Sequence, residues 1–529
     1  MTFDLLIKNG MIVDGTGNPW FRGNIGIKNE KITKIGRASA KAKRIIDAEG
    51  LIVAPGFIDM HAHDDLIFFL DTYNKPKLQQ GITTIVSGNC GISAAPIDNK
   101  TSNLLKPYLF SSAKYVKLDW NHYSTYLDRI ERLGHLGTNF IGLIGHGTLR
   151  IAVMGMKNRV PTKEELNKMK NLLAQSMKEG AFGISTGLIY PPGVYAKTEE
   201  LIELSKVVAR YGGIYATHMR DEGDYLSEAV QEVIKIGREA KVPVEISHYK
   251  ICGKSNWGKL EDTLRIIEEA RAQGIDITMD SYPYTAGSTY LSALLPPFTH
   301  EGGEKKLKER CKDPKMRIKI KRFIEERTDW QNLIKQAGWE NIILSYSIDH
   351  PELIGNTISK ISETYKKDPF NILFDIISKD GNNAQIIIFM MDEEDVKKAI
   401  SHPYTMIGTD GIDEGVGIPH PRSYGTFPRV IGIYARNEKI ISIEDAIRKM
   451  SSLPAQKLGI KDRGLLREGF WADIVIFDPN KIIDRATYQE PRNSPEGIEY
   501  VIVNGTISIR NGKLTKEKGG RILRKNFPI

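Results

Sequence analysis

The stretch Phe57-Ile58-Asp59-Met60-His61-Ala62-His63-Asp64-Asp65 decides how the rest of the chain is read. It follows an apolar run from Leu51 to Phe57, broken by Pro55-Gly56, and so lies at the exit of a buried strand. Residues i and i+2 of a strand face the same side, which lets both imidazoles reach one metal ion. A His-x-His in that position is half of a zinc site. A pair of surface or core histidines produces the same local pattern, so the later strand ends must discriminate.

Apolar segments in the middle of the chain end at His61/His63, Val86-Ser87, Ile144-Gly145, Ile184-Ser185, Ala216-Thr217, Ile246-Ser247, Thr278-Met279 and Ile407-Gly408. Amphipathic helices alternate with them. One, from Tyr225 to Ala240, places Leu226, Ala229, Val230, Val233, Ile234 and Gly237 on a single face. Eight strand–helix units predict an α/β fold, a TIM-like (β/α)8 barrel over residues 56–462 with its active site at the carboxyl ends of the strands. The run from Ser281 to Tyr404 is too long for one barrel loop. Residues 285–404 are therefore expected as an insertion between the last two strands, with helices of its own and the position of a lid.

Both ends of the chain read differently. Short strands are expected at Leu5–Ile7, Met11–Val13, Ile25–Ile27 and Ile32–Ile35, and again at Ile474–Phe477, Tyr500–Val503 and Thr506–Ile509. Lys8-Asn9-Gly10 and Val503-Asn504-Gly505 read as matching turns. Residues 1–55 and 463–529 are thus expected to meet in one small β-sandwich domain.

Composition narrows the class. Hydrophobic residues make up 41% and charged residues 26% of 529, which describes a soluble globular chain. No apolar run approaches the ~20 residues of a membrane span, and the first residues lack the pattern of a signal peptide, so a cytoplasmic protein is expected. The net charge of +9 raises the question of nucleic acid. The basic residues, however, are interleaved with acids, as in Lys163-Glu164-Glu165, which favours a solvated surface over a binding stripe. Cys90, Cys252 and Cys311 form no framework spacing, and no disulfide is expected.

The strand ends carry the chemistry. His61 and His63 follow strand one, and Ser87-Gly88-Asn89-Cys90-Gly91 follows strand two. His218-Met219-Arg220 follows strand five, His248-Tyr249-Lys250 strand six, Asp280-Ser281-Tyr282 strand seven and Thr409-Asp410-Gly411 strand eight. Four histidines, a cysteine and an aspartate at one barrel rim point to a metal centre. Zinc accepts imidazole, thiolate and carboxylate, and lowers the pKa of a bound water toward ~7. A carboxylate beside it can take the water's proton and return it to a leaving nitrogen. Asp410 is the candidate for that catalytic role.

The pattern resembles the N-acyl-D-amino-acid deacylase (D-aminoacylase) family of the amidohydrolase superfamily. The resemblance runs through Ala54-Pro55-Gly56-Phe57-Ile58-Asp59-Met60-His61-Ala62-His63-Asp64, the Asn89-Cys90-Gly91 turn and Gly145-His146-Gly147-Thr148-Leu149-Arg150. It continues in Thr217-His218-Met219-Arg220-Asp221-Glu222, Ser247-His248-Tyr249-Lys250, Asp280-Ser281-Tyr282-Pro283-Tyr284 and His420-Pro421-Arg422-Ser423-Tyr424-Gly425-Thr426-Phe427. Many relatives bridge two metals with a lysine after strand four, where this chain has Ser185-Thr186; in the deacylase branch a cysteine takes that part, here Cys90. The resemblance implies that Cys90, His218 and His248 hold one tight Zn2+, and that His61, His63 and Asp410 surround a second, weaker position.

It also implies that Lys250, Tyr282 and Arg422 bind the substrate carboxylate, with chemistry that suits a point charge, a hydroxyl and a planar fork. Arg220 either joins them or pairs with Asp221 and Glu222. His146 is expected to be either structural or a support behind the metal ligands. Relatives that take D-aspartate or D-glutamate carry an extra arginine after the Asp-Ser-Tyr turn. Here Tyr282 to His300 has neither Arg nor Lys and runs through Leu291, Leu294, Leu295 and Phe298, which favours apolar D side chains or else is plain core packing. The expected activity is zinc-dependent hydrolysis of N-acyl-D-amino acids, small molecules rather than nucleic acid or membrane. An L-Xaa-D-Xaa dipeptidase, a cyclic-amide hydrolase and a silent scaffold are the alternatives.

Overall fold

A computed structural model describes residues 2–37, 41–98, 100–109, 111–327, 329–413 and 415–526. The eight barrel strands are Phe57–Asp59, Ile82–Ser87, Asn139–Gly142 (continued by Ile144–Gly145), Gly183–Gly187, Ile214–His218, Val244–Ile246, Ile277–Ser281 and Thr405–Ile407. Neighbours pair in parallel around the ring, with Phe57 opposite Ile82, Thr84 opposite Asn139, Ile184 opposite Ile144, and Met279 opposite Thr405. The ring closes between the last and first strands through a parallel bridge of Ala62 with Gly411 and the Asp410 N–H donated to His61 O at 2.8 Å. Gly408 is required at this seam, since a Cβ there would stand 2.6 Å from His61 Cβ.

Helices cover the barrel because each offers an apolar stripe. In Leu226–Ala240 the buried set includes Leu226, Ala229, Val230, Val233, Ile234 and Gly237, the face read from the sequence. Each large apolar side chain so buried contributes about 1.5–3 kcal/mol.

The first and last strands of the chain form one hydrogen-bonded sheet of nine, joined where Ile52–Pro55 runs antiparallel to Ile474–Phe477. The strands expected as a sandwich thus belong to one continuous sheet, and they share a cluster that includes Leu5, Ile25, Ile32, Ile474 and Ile502. The two turns read as equivalent differ. Asn504 and Gly505, both at positive φ, join Ile498–Val503 to Thr506–Arg510 as a two-residue hairpin. At the other end a single strand, Phe3–Ile12, runs straight through Lys8-Asn9-Gly10. Asn9, at φ 62°, makes a bulge that shifts the register without ending the pairing.

The long segment after strand seven contains helices and also a three-stranded antiparallel sheet, ordered Ala286–Tyr290, Gln385–Phe389, Ile342–Tyr346. The helix Glu393–Ser401, near its end, precedes strand eight as the barrel's own covering helix. No helix among the described residues is long and apolar enough to cross a membrane.

Candidate metal centre

The turn after strand two brings a thiol to the middle of the rim. Gly88 and Gly91 flank it at φ 80° and 79°, and a Cβ on Gly91 would lie 2.6 Å from the backbone nitrogen of Gly187. Cys90, His248 and Asp410 have positive φ themselves, at 50°, 36° and 47°. Such backbone costs about 1–3 kcal/mol at each non-glycine residue and persists only where surrounding structure imposes it.

Cys90 Sγ stands 3.4 Å from His61 Nε2, 3.4 Å from His248 Nε2 and 3.8 Å from His218 Nδ1. His63 Nε2 lies 3.0 Å from Asp410 Oδ1, and His61 Nε2 3.6 Å from the same oxygen. Two sets therefore share the thiol: His61, His63 and Cys90, and Cys90, His218 and His248. Burial pushes the Cys90 thiol up, but His61, His248 and His218 outweigh it and hold the group well below its usual range. Burial likewise opposes ionisation of Asp410, and Arg422, His61 and His63 together bring its carboxyl well below the usual value. Cys252 and Cys311 are buried and unpaired, as small hydrophobes.

Partners behind the ligands orient them. Asp280 Oδ2 faces His61 Nδ1 at 3.1 Å, while Asp280 Oδ1 accepts the His248 N–H at 2.9 Å. Burial, then the charge of nearby Asp280, push the Glu245 carboxyl up, and its Oε2 accepts from Ser247 Oγ at 3.2 Å. Glu222 accepts from Lys250 Nζ at 2.6 Å and lies 3.0 Å from His248 Nδ1. Its carboxyl stays ionised despite burial because Lys250, His218 and His248 surround it. At the seam, buried Lys77 donates to Asp59 Oδ2 at 2.7 Å and Thr409 Oγ1 at 2.6 Å, and Asp59 Oδ1 accepts the Thr409 N–H at 2.8 Å. This network holds the turn that carries Asp410.

Sequence reading assigned no role to Glu222, Asp59, Glu245 or Lys77. Asp59 had a signal, because it precedes His61 by two residues and shares its face. Glu222 lies within the Thr217–Glu222 motif. Lys77 had none.

Arg422 and Lys250, read as carboxylate-binding residues, both reach the site and both meet acids there. Arg422 Nη1 is 2.7 Å from Asp410 Oδ2, and Lys250 is paired with Glu222. Tyr282 joins them, its ring 4.7 Å from the Arg422 guanidinium carbon. Arg220 stands apart, in a fork on Glu232 at 2.9 and 3.0 Å, so its partner is neither Asp221 nor Glu222. His146 is away from the cluster, with Nε2 2.8 Å from Glu200, which Arg150 also grips. Leu291, Leu294 and Leu295 are core residues of the insertion and do not line the site. Its aliphatic lining comes instead from Ile92, Ile189, Leu333, Ile388, Met390 and Ile412, in a cavity of about 730 Å3 including its open mouth.

An Amidohydrolase family model matches residues 44–509. D-aminoacylase of Alcaligenes xylosoxydans xylosoxydans is 38% identical, over 98% of this chain and 97% of that protein. The chain belongs to the D-aminoacylase branch of the amidohydrolase family. N-acyl-D-glutamate deacylase of the same organism is 36% identical over 99% of this chain and 97% of its own. The solved N-acyl-D-glutamate deacylase of Bordetella bronchiseptica, complexed with zinc and a phosphonate mimic of the tetrahedral intermediate, superposes with a TM-score of 0.85 at 34% identity, covering 99% of this chain and all of that one. Strand four carries Ser185-Thr186 and no lysine. There, Ser185 Oγ donates to Gly88 O and Thr186 Oγ1 donates to Thr217.

Proposed function

We propose that the protein is a zinc-dependent deacylase that releases a carboxylate and a free D-amino acid from N-acyl-D-amino acids with apolar side chains. The donor set supports zinc. A tetrahedral ion with bonds of about 2.3 Å to sulfur and 2.05 Å to nitrogen separates those ligands by about 3.6 Å. The separations of 3.4 and 3.8 Å from Cys90 Sγ to His248 and His218 suit that geometry. Cys90, His218 and His248 would hold the tight ion, and His61, His63 and Asp410 would frame a second, weaker position. An ion held there would supply Lewis acidity toward the amide carbonyl and the attacking water.

The chain's own groups do the rest. Asp410 Oδ1 takes the proton of the attacking water and passes it to the departing amide nitrogen. Arg422, Tyr282 and Lys250 bind the α-carboxylate, whose arrival offers Arg422 a second acid beside Asp410. Glu222 and Asp280 fix the orientation of His248 and His61.

The observation that carries the substrate reading is the cavity's charge. Among the described residues the lysine and arginine side chains that line it are Lys250 and Arg422, both paired with acids of the site, which leaves no further cation there for a second substrate carboxylate. Identity to the relatives does not separate glutamate from apolar substrates; Ile189, Leu333, Ile388 and Met390 favour the latter. Three buried, unpaired cysteines accord with action in the cytoplasm. The test is release of D-amino acid by zinc-loaded protein from paired N-acetyl-D and N-acetyl-L substrates. N-acetyl-D-methionine and N-acetyl-D-leucine are expected to lead. A lead for N-acetyl-D-glutamate, or for any L substrate, sinks this reading.

A further inference from the structure

The cavity that holds the metal ligands is also lined by Ile92, Tyr108 and Tyr190 and by Gly287 to Tyr290 of the insertion. The insertion strand Ala286–Tyr290 crosses it and serves as a ruler. At its near end, a Cβ on Gly287 would stand 3.6 Å from the Tyr282 hydroxyl, and Ser288 O accepts from Arg422 Nη2 at 3.2 Å. Ile388 pairs with Gly287 across the sheet, so it belongs to this end. Next along the strand, Thr289 Oγ1 meets the Tyr190 hydroxyl at 2.9 Å, and the Tyr190 ring stands edge-on to His218 at 5.0 Å. At the far end the Tyr290 hydroxyl donates to Tyr108 O at 2.8 Å, and the two rings meet at 6.2 Å. Gly287 and Tyr290 are about 10 Å apart at the rise of a strand.

An N-acyl amino acid has a fixed internal spacing. Its α-carbon and the first carbon of the acyl chain lie about 3.8 Å apart across the planar trans amide. With the carboxylate beside Ser288 and the carbonyl at Cys90, His218 and His248, the acyl chain leaves toward Tyr190 and Tyr290. Counted from Ser288, the first acyl carbon is then about level with Thr289, and the step of about 3.3 Å to Tyr290 is still ahead of it. Ile92, two residues beyond Cys90, lines the same cavity.

We propose that Ile92, Tyr190, Tyr290 and Tyr108 form an acyl-chain subsite for acyl groups longer than acetyl, of the butyryl to phenylacetyl class. This subsite is separate from the Ile388 and Met390 wall that receives the amino-acid side chain. The inference rests on the deacylase reading above and adds the identity of the acyl half of the substrate.

The test compares kcat/KM for the N-acetyl, N-butyryl and N-phenylacetyl derivatives of D-leucine. Each methylene buried is worth about fourfold, so the butyryl compound, with two more methylenes, is expected to exceed the acetyl compound by roughly fifteenfold. Ile92→Trp, which fills the subsite, is expected to remove that ratio, and Tyr290→Ala to lower it, whereas Tyr290→Phe keeps the ring and the ratio. The N-acetyl-D-leucine to N-acetyl-D-alanine ratio, by contrast, is expected to respond to Met390→Ala and not to Ile92→Trp. Circular dichroism and zinc content identify any variant that has failed to fold, and the two wall substitutions stand independently. An acetyl preference in the unaltered protein overturns the subsite. So does an Ile92→Trp variant that alters side-chain preference while leaving the acyl ratio alone. Failure to hydrolyse any N-acyl-D-amino acid overturns the deacylase reading itself, a result distinct from either of these.

Discussion

Replacing Arg422 with methionine separates two roles that the structure gives one side chain. Arg422 is 1% exposed, and its Nη1 lies 2.7 Å from Asp410 Oδ2. In the proposed complex it also meets the substrate carboxylate. Loss of that charge-assisted bond removes about 1.5–3 kcal/mol from a substrate with a carboxylate, a factor of roughly 10–150 in kcat/KM. Loss of the cation beside Asp410 acts on every substrate alike, because it alters the proton acceptor and not recognition. The ratio of kcat/KM for N-acetyl-D-leucine to that for N-acetyl-D-leucinamide therefore isolates the recognition share. In Arg422→Met both rates are expected to fall, and the ratio to fall by a further factor of roughly 10–150. Arg422→Lys should restore part of the ratio, since a point charge replaces a planar fork. The assay is the initial rate of D-leucine release at matched zinc content. If acid and amide lose the same factor, within about threefold, Arg422 supports Asp410 alone and the carboxylate assignment is wrong.

Cys90→Ala is expected to weaken zinc retention by about 10²-fold or more and to abolish turnover, because it deletes the thiol at the centre of three imidazoles; dialysis followed by metal analysis checks it, and full zinc content would remove Cys90 from the ligand set. Asp410→Asn keeps the shape of the turn without its proton acceptor, so kcat should fall by about 10²–10⁴ at unchanged fold, and a rate within a few-fold of the unaltered protein would move the role elsewhere. Lys77→Met leaves Asp59 as a buried carboxylate without its cation, and breaking such a pair typically costs about 3–5 kcal/mol. Chemical unfolding of the single variant and of Lys77→Met with Asp59→Asn tests this, with the second change expected to recover a large part of the loss; a single variant within about 1 kcal/mol of the unaltered protein, the range of an exposed pair, would contradict it.

What the sequence by itself determined is whatever depends on periodicity within one element. The period of two placed His61 and His63 on one face, and the 3.6-residue stripe found the buried side of Leu226–Ala240. Repetition of strand and helix was enough for the barrel, and His61, His63, Cys90, His218, His248 and Asp410 do meet at one rim. The tertiary structure alone decided which groups meet across the chain. Lys77 and Thr409, 332 residues apart, touch because the last strand closes on the first. Arg220 meets Glu232, not its sequence neighbours, because the following helix carries that acid back beside it. Asn9 reads as a turn, yet it forms a bulge because strands on both sides keep their hydrogen bonds through it. The apolar run from Leu291 to Leu295 packs into the insertion, while Ile388 and Met390, nearly a hundred residues later, face the site. Local pattern reports the face a side chain shares with its neighbours in sequence. The identity of an ion-pair partner or a cavity wall depends on where elements cross, and that is set by the packing of the whole barrel.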